Sequence, residues 1–343
     1  MADKARRAAR PARKADEPLR IHVQNSPPVP GGLTLERERL EAALHARKSL
    51  RHVAFSVSVD DGAEQLPTGL DAEIIITLAK INVSKARDTA LGLKWVQTTF
   101  AGVEGMVDKL PRGLKVTNAS GVHAEKGGEF VLAAALMLAY QIPQFVTDFS
   151  EKAWAPQFGP VLGKHRVTVL GVGAIGVCAV QNLRRQGCQV TGVTRSGRAR
   201  TKLDRIASLD ELDEVLQQTD ILVSTLPDTP QSENLIDRRR IDLLPEGAGI
   251  VVVGRAPPLD YEAIMDRLDA GTLRGAVLDV FPEEPIPKRD RAWKTPRLIV
   301  TPHCSVDDHT VYIDRCLDIF LDNLERYLSG RKLQNLVDPK EGY

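Results

Sequence analysis

The sequence predicts an α/β fold of two doubly wound lobes, one of them discontinuous along the chain. Short runs rich in valine and isoleucine alternate with helical stretches through most of the sequence, which is the pattern of a parallel sheet covered by helices. The chain has 343 residues. Because that length exceeds what one hydrophobic core usually serves, two domains are expected.

The segment 1–18 is rich in arginine, lysine and alanine and contains almost no large apolar side chain. Such a segment cannot offset the entropy lost on ordering, so it is predicted to be a disordered tail. An organelle-targeting peptide and a weak contact with a polyanion are the alternatives, because the segment is basic and poor in acids.

The first lobe is predicted to comprise residues 19–142 and a returning C-terminal segment, 306–343. Apolar positions at helical spacing from Asp307 onward predict a C-terminal helix, whose return makes this lobe discontinuous. Four runs that end in loops of glycine, threonine and asparagine are predicted strands. They lie at residues 52–58, 72–78, 93–99 and 114–120.

A long apolar helix is predicted from Glu125 to Gln141, ending just before Pro143 and joining the two lobes. Gly127 and Gly128 are expected to weaken its first turn, because glycine in a helix costs conformational entropy.

The second lobe, residues 143–305, contains a further alternating series. Six of its runs are apolar on both faces, as strands covered by helices on two sides must be. These runs lie within HRVTVLG, QVTGVTR, DILVSTLP, GAGIVVVG, LRGAVLDVF and RLIVTPH. Six buried parallel strands are therefore predicted.

The charge balance excludes several classes of partner. Lysine plus arginine (46) nearly equals aspartate plus glutamate (45), so no global field draws the chain to nucleic acid or to an anionic membrane. No apolar run approaches the ~20 residues that cross a bilayer, and a cytoplasmic protein is expected. The four cysteines have neither CxxC spacing nor a histidine at metal-ligand spacing, which predicts reduced thiols and no metal site.

The strand VTVLG leads directly into Gly171-Val-Gly173-Ala174-Ile175-Gly176 and then into a helical stretch. In this context Gly171 permits a tight turn, Gly173 lets the backbone approach a pyrophosphate, and Gly176 lets the helix pack closely on the strand. The amino terminus of the helix favours the phosphates. The sequence therefore predicts a Rossmann-like dinucleotide site.

The end of the next strand bears on the choice of cofactor. An acidic residue is expected there when the ribose keeps a free 2′-hydroxyl, but Thr194 occupies the position and is followed by Arg195, Ser196 and Arg198. Two cations and a hydroxyl suit a 2′-phosphate. NADP is therefore favoured over NAD, with solvated arginines as the alternative.

Three later segments carry chemistry-bearing side chains behind strand ends, where ligands of this architecture bind. Arg255 follows a buried strand and can hold a carboxylate through two hydrogen bonds. His303 follows another strand, and histidine titrates near the pH at which a general acid for ketone reduction must work. Glu284 can fix the tautomer of that histidine and stabilise its protonated form. The three residues predict proton and hydride transfer to a keto acid.

These segments resemble the D-isomer-specific 2-hydroxyacid dehydrogenase family over nearly the whole chain after the tail. In the first lobe the likeness lies in LKWVQTTFAGVEGM and VTNASGVHAEKGGEFVLAAAL. In the second it lies in GVGAIG, STLPDTPQSENLI, VVGRAPPLD, GAVLDVFPEEP and TPH, in this order and at the family's spacing. The resemblance implies a glyoxylate/hydroxypyruvate reductase-like enzyme that moves a hydride between NAD(P)H and a small D-2-hydroxy or 2-keto acid.

The resemblance also implies roles for single residues. Arg255 would bind the carboxylate and carbonyl of the substrate in the cleft between the lobes, His303 would exchange the proton, and Glu284 would support His303. Asp279 would contact the nicotinamide carboxamide. Further contacts are implied for Ala101, Gly102 and Val103 with Leu78 opposite, on the substrate carboxylate, and for Leu226, Pro227 and Thr229, on the nucleotide. A homodimer formed through the nucleotide lobe is implied as well.

Three positions depart from the family pattern: Val252 replaces a common asparagine, Ala256 a glycine and Gly128 an alanine. Two other functions stay open. One is a dinucleotide-sensing protein of the same fold, like the family's transcriptional corepressors, and the other is a member that acts on phosphite or an unusual acid. Trp293 is either a wall of the substrate pocket or a core anchor.

Overall fold

The computed structural model describes residues 17–27, 33–62, 65–90, 92–103, 106, 110–199 and 201–338. The predicted tail, 1–18, thus lies almost wholly outside the described residues. The described parts divide into two compact units. Unit 1 comprises Met1–Thr99, Gly105–Asn118 and Cys316–Leu336, and unit 2 comprises Phe100–Glu104, Ala119–Arg315 and Val337–Tyr343.

Unit 1 contains a five-stranded parallel sheet in the order β2-β1-β3-β4-β5. This is the flavodoxin-like order of a doubly wound sheet. Its strands are β1 (Leu19–Asn25), β2 (Phe55–Asp61), β3 (Ile74–Thr77), β4 (Trp95–Thr98) and β5 (Lys115–Thr117), with helices α1 (Arg37–Ala46) and α2 (Ala86–Thr89). The four predicted strands are confirmed, although the first begins three residues later than predicted and extends to Asp61.

Strand β1 was not among the predicted strands because its sequence, LRIHVQN, carries Arg20 and three further polar residues, His22, Gln24 and Asn25. In the structure the last three are buried and paired with β2. His22 Nδ1 lies 2.9 Å from Ser58 Oγ, and Gln24 donates to Asp60 at 3.1 Å. Asn25 donates to Asp61. The polar ladder satisfies its own hydrogen bonds and hides the apolar alternation that marks a strand.

The C-terminal helix α9 (Tyr312–Leu328) contributes to unit 1 from Cys316 onward, so unit 1 is discontinuous. Trp95 of β4 is fully buried and stacks on Phe320 at 5.2 Å and on Tyr327 at 5.6 Å between ring centroids. Its indole N–H donates to Thr117 at 2.7 Å. These aromatic contacts hold the returning helix in the core of unit 1.

Unit 2 contains a seven-stranded parallel sheet in the order β12-β11-β10-β9-β6-β7-β8, which is the order of a Rossmann sheet. The six predicted strands are confirmed. An additional three-residue edge strand, β8, was not predicted, because it contains no apolar run. The strands are β6 (Arg166–Leu170), β7 (Gln189–Val193), β8 (Arg205–Ala207), β9 (Ile221–Ser224), β10 (Ala248–Val252), β11 (Leu273–Leu278) and β12 (Leu298–Val300). The helices are α3 (Ala124–Ala139), α4 (Ile142–Ser150), α5 (Ala174–Arg185), α6 (Leu212–Leu216), α7 (Arg238–Asp242) and α8 (Tyr261–Asp269).

The predicted helix from Glu125 to Gln141 ends two residues earlier than expected, and Pro143 lies beyond its end, as predicted, but within a second helix. Helix α3 ends at Ala139, Gln141 adopts a left-handed conformation with φ 57°, and α4 starts at Ile142. Pro143 lies in the first turn of α4, where the missing N–H of proline has no helical partner to lose.

The two glycines near the start of α3 serve close helix packing. A Cβ atom at Gly128 would lie 2.5 Å from Cβ of Cys178 in α5, and one at Gly127 would lie 3.0 Å from the Ile175 side chain. Distances below about 3 Å are repulsive, so a side chain at position 128 would force the helices apart. The departure from alanine at this position therefore has a packing cause.

No single helix in the described residues has the length and apolarity to cross a bilayer; α3 and α4 meet that test only as a pair bent by 62°. Among the same residues, no group of three or more histidine, cysteine, aspartate or glutamate side chains is arranged to hold a metal ion.

Candidate active site

The carboxyl-terminal edge of the seven-stranded sheet carries most of the residues singled out from the sequence. All seven strands are parallel, so the loops that follow them leave from one edge. In spatial order along this edge come the loops that contain His303 after β12, Asp279 and Glu284 after β11, and Arg255 after β10. The loop with Leu226, Pro227 and Thr229 follows β9, the glycine turn follows β6, and Thr194 follows β7. The fold thus places an acid–base pair at one end of the edge and the predicted 2′-phosphate residues near the other.

His303 and Glu284 are in direct contact. Nδ1 of His303 lies 2.7 Å from Oε2 of Glu284, with the side chains 39% and 36% exposed. The other carboxylate oxygen, Oε1, accepts the backbone N–H of Phe281 at 2.8 Å. Because Glu284 occupies Nδ1, Nε2 is the ring nitrogen available to contact a substrate. The partial exposure of the His303 side chain makes such a contact possible. A carboxylate-bound imidazole of this kind can donate and accept a proton.

Asp279 organises the turn that carries His303. Its carbonyl accepts the N–H of His303 at 2.8 Å, and its Oδ1 accepts from Thr301 Oγ1 at 2.6 Å and from the N–H groups of Cys304 and Ser305. The side chain is 1% exposed, and no hydrogen-bond partner among the described residues reaches Oδ2. A buried carboxylate oxygen without a donor is costly, so Oδ2 fits the amide of a bound nicotinamide.

Arg255 is half-buried three residues after β10, with one strand of the sheet between it and the His303 loop. Its N–H donates to Leu226 at 3.0 Å, and its Nη1 donates to the carbonyl of Gly254 at 3.1 Å. A Cβ at Gly254 would lie 2.3 Å from the Leu226 carbonyl, so glycine is needed for this approach. The guanidinium is a permanent cation at the edge where an acid would bind.

The glycine turn has the geometry that a dinucleotide needs. Gly171 has φ 83°, which favours glycine, and a Cβ at Gly176 would lie 2.2 Å from the carbonyl of Gly171. A Cβ at Gly173 would meet nothing within 4 Å, and no side chain caps the start of α5, where Ala174 and Ile175 lie. Open space over Gly173 and uncapped N–H groups fit a pyrophosphate. The residues present therefore fit a nicotinamide dinucleotide.

The loop after β7 is closed by Thr194. Its hydroxyl donates to the carbonyl of Arg198 and accepts the N–H of Arg198, both at 3.1 Å. Thr194 therefore shapes the loop instead of offering its hydroxyl outward. The side chains of Arg195, Ser196 and Arg198 are exposed, as side chains that meet a 2′-phosphate must be.

The remaining predicted contacts are placed as follows. Thr229 is buried and its hydroxyl pairs with Ser232 at 2.9 Å, and Ser232 donates to the carbonyl of Pro227. These bonds fix the loop after β9. In unit 1 the backbone N–H of Leu78 donates to Gln24, and its carbonyl accepts from Ser26. Ala101, Gly102 and Val103 belong to unit 2, with Val103 buried.

Trp293 is 57% exposed, so the alternative that it is a core anchor is wrong. Its indole N–H donates to the carbonyl of Pro287 at 2.9 Å, which fixes the ring beside the segment that follows Glu284.

The sequence predicts no role for two residues around the site. Tyr261 is buried, and its hydroxyl donates to the carbonyl of Val280 at 2.6 Å. Burial and the nearby carboxylates of Glu284 and Asp279 raise the pKa of its phenol, so the hydroxyl remains a donor. Thr301 is the first residue of the TPH motif, and the motif alone does not predict that its hydroxyl donates to Asp279.

A further acid lies on the segment after His303. Asp307 is partly buried, and His123 Nδ1 lies 3.1 Å from its carboxylate. Burial opposes ionisation, but the hydrogen bond from His123 and the charges of nearby histidines lower the pKa of Asp307 below its ordinary value. Asp307 is therefore a carboxylate at neutral pH.

Comparison with known proteins places these features in a family. The family model for the NAD binding domain of D-isomer specific 2-hydroxyacid dehydrogenases matches residues 132–305, just over half of the chain. Glyoxylate/hydroxypyruvate reductase A of Yersinia enterocolitica is 26% identical over 264 residues, which cover 73% of this chain and 82% of that protein.

Solved structures agree with this match. A D-isomer specific 2-hydroxyacid dehydrogenase from Xanthobacter autotrophicus Py2, in complex with NADPH and MES, is similar with a TM-score of 0.80 at 27% identity, covering 94% of this chain and 99% of that one. An NADPH-dependent glyoxylate/hydroxypyruvate reductase from Sinorhizobium meliloti, in complex with NADP and sulfate, has a TM-score of 0.74 at 25% identity, covering 95% and 100%. With its nicotinamide dinucleotide-binding Rossmann domain, this chain belongs to the D-isomer specific 2-hydroxyacid dehydrogenase family.

Proposed function

We propose that the protein reduces a small 2-keto acid of the glyoxylate and hydroxypyruvate class to the D-2-hydroxy acid, with NADPH as the preferred cofactor. The contact of 2.7 Å between His303 and Glu284, on the same sheet edge as the glycine turn, is the observation that carries this proposal. It joins an acid–base pair to a dinucleotide site, as keto-acid reduction requires.

In the proposed reaction Arg255 binds the carboxylate of the substrate and polarises its carbonyl. When bound, the reduced nicotinamide supplies the hydride. Protonated His303 donates its Nε2 proton to the carbonyl oxygen as negative charge develops there. Glu284, fixed by the Phe281 N–H, keeps the imidazole oriented and favours its protonated form. Asp279 holds the His303 turn with Oδ1 and offers Oδ2 to the carboxamide.

The test is a panel of acids measured with NADPH and with NADH. Glyoxylate, hydroxypyruvate and pyruvate are offered for reduction, glycerate and lactate enantiomers for oxidation, and phosphite for the alternative chemistry. We expect turnover of at least one keto acid and D-selective oxidation. Tight dinucleotide binding with no turnover of any acid would instead indicate a sensor related to the family's corepressors, and turnover of phosphite alone would replace the substrate.

The preference for NADPH is supported by the loop after β7. It has no acidic side chain from Thr194 to Ala199, and it exposes Arg195, Ser196 and Arg198. Two cations and a hydroxyl can hold a 2′-phosphate through charge-assisted hydrogen bonds. Relatives whose structures contain NADPH or NADP show that the fold accepts this cofactor.

We propose further that the protein is a homodimer and that the segment 140–161 contributes to its interface. Seven large hydrophobic side chains of this segment are exposed, and Trp154 is 97% and Phe158 89% exposed. Such side chains are typical of a covered interface. Light scattering after gel filtration should give a dimer for the wild type and a monomer for Trp154→Glu with Phe158→Glu, whereas Leu328→Glu, at another exposed apolar position, should stay dimeric.

A further inference from the structure

Tyr261 lies at the start of α8, six residues after Arg255, and only 5% of it is exposed. Its ring packs against Phe281 with 5.6 Å between ring centroids, and its hydroxyl donates to the carbonyl of Val280 at 2.6 Å. Tyr261 therefore connects the segment that follows Arg255 in the sequence to the loop that follows β11. Both segments belong to unit 2.

The carbonyl of Val280 and the N–H of Phe281 belong to one peptide unit. The Phe281 N–H donates to Oε1 of Glu284 at 2.8 Å, and Oε2 of Glu284 lies 2.7 Å from Nδ1 of His303. A continuous hydrogen-bonded chain thus runs from the Tyr261 hydroxyl through one peptide and one carboxylate to the imidazole.

Through these hydrogen bonds the Tyr261 hydroxyl can affect the orientation of the Glu284 carboxylate. A peptide unit is planar, so fixing its oxygen also fixes the direction of its N–H. A hydrogen bond to the carbonyl polarises the peptide and strengthens the N–H as a donor. Glu284 is more than one-third exposed, so its orientation depends on such bonds. The raised pKa of the Tyr261 phenol keeps the hydroxyl protonated across the working range of an enzyme.

We propose that Tyr261 is a positioning residue for proton transfer: its hydroxyl holds the 280–281 peptide unit, and that peptide holds Glu284 against His303. This inference rests on the proposed function. In this proposal the effect reaches His303 through Glu284, so loss of the hydroxyl acts on the protonation of the imidazole and leaves substrate binding to Arg255 unchanged.

The first test removes the hydroxyl and keeps the ring, with Tyr261→Phe. We expect kcat to fall about five- to tenfold with little change in KM, as the loss of one positioning hydrogen bond implies. In the reduction direction the alkaline limb of the kcat pH profile should move to lower pH, because the imidazolium loses part of the support of its carboxylate. The matched control is Tyr327→Phe, which removes another buried hydroxyl bond of 2.6 Å, to Glu73. It should lower Tm similarly and leave the pH profile in place.

The second test is a mutant cycle with Glu284→Gln. If Tyr261 acts through Glu284, adding Tyr261→Phe to Glu284→Gln has little further effect on kcat, whereas additive losses would overturn the proposal. An NMR titration of the His303 ring, assigned with His303→Gln, reports without turnover. A wild type that turns over no acid would remove the proposed function, but the titration would still move in Tyr261→Phe. An unmoved titration would refute the role of Tyr261 alone.

Discussion

Asp279 holds His303 through its backbone and its side chain at once. The carbonyl of Asp279 accepts the His303 N–H at 2.8 Å, and Oδ1 accepts the N–H groups of the next two residues, Cys304 and Ser305. His303 itself has φ 48°, a left-handed conformation that a non-glycine residue adopts only when its surroundings impose it. One aspartate thus fixes the backbone that aims the imidazole.

An Asp279→Asn variant should distinguish the roles of the two carboxylate oxygens of Asp279. The amide keeps an acceptor for Thr301 and the two N–H groups, but it turns a donor toward the carboxamide of a bound nicotinamide. Dinucleotide affinity should fall about 5- to 100-fold, the cost of an unpaired buried polar group, with a small change in Tm. Binding is followed by fluorescence titration with NADPH. Unchanged affinity would mean that Oδ2 does not face the cofactor.

Replacing His303 with alanine should lower kcat about 10²- to 10⁴-fold, the usual contribution of a general acid. Dinucleotide affinity should stay close to that of the wild type, because the ring is held by Glu284 on one side and meets the substrate on the other. The control is His309→Ala, an exposed histidine in the same segment. Kinetics and fluorescence titration on both variants check this. An active His303→Ala enzyme would exclude the residue as the proton donor.

Some parts of the site could be predicted from the sequence because neighbouring residues determine them. The turn Gly171–Gly176 between β6 and α5 is of this kind, and so are the strand ends that precede Arg255 and His303. Other parts depend on contacts between distant segments. Tyr261 binds a backbone carbonyl, which every residue possesses, so no residue type marks the partner. The same holds for Asp279, which accepts from two backbone N–H groups.

Burial of polar residues is the second limit on prediction. Strand β1 was missed because His22, Gln24 and Asn25 are polar, yet all three are buried beside polar partners on β2. Gly128 shows the converse: a helix-weakening residue in the sequence is a packing requirement in the structure. Local propensity predicted neither the strand β1 nor the need for glycine at position 128, because tertiary contacts determine both.

Cofactor preference should shift toward NADH when the positive charge of the loop after β7 is replaced by negative charge. In a Thr194→Asp, Arg195→Ala variant the new carboxylate can still accept the N–H of Arg198, so the turn can persist, while the carboxylate repels a 2′-phosphate and accepts a ribose hydroxyl. The ratio of kcat/KM for NADPH to that for NADH should fall by at least about tenfold. Arg185→Ala, on the exposed side of α5, serves as a charge-matched control for the lost arginine. An unaltered ratio in the double variant would contradict the phosphate-site proposal.

The stability of the protein should fall as the pH drops below about 6.5. Burial lowers the pKa of His22, and this outweighs the hydrogen bond to Gln24 and the charge of Asp60. The unfolded chain then binds more protons than the folded one, so the free energy of unfolding decreases by up to about 1.4 kcal/mol per pH unit in this window. Urea unfolding of His22→Gln should show a flatter pH dependence, and exposed His52→Gln should match the wild type. Equal slopes for both variants would assign the effect elsewhere.

Two glycines allow packing and ligand binding to be tested separately. A Cβ at Gly128 would overlap Cys178, whereas one at Gly173 would enter open space at an extended backbone position. Gly128→Ala should therefore lose about 1–3 kcal/mol of stability, as overpacked cores do, and keep its dinucleotide site intact when folded. Gly173→Ala should unfold at nearly the wild-type temperature and bind NADPH much more weakly, because the methyl group occupies the space predicted for the pyrophosphate.

Thermal unfolding with and without NADPH distinguishes the two variants: the cofactor should raise Tm for Gly128→Ala and should hardly do so for Gly173→Ala. A Gly173→Ala protein that NADPH stabilises as fully as the wild type would move the pyrophosphate away from this turn.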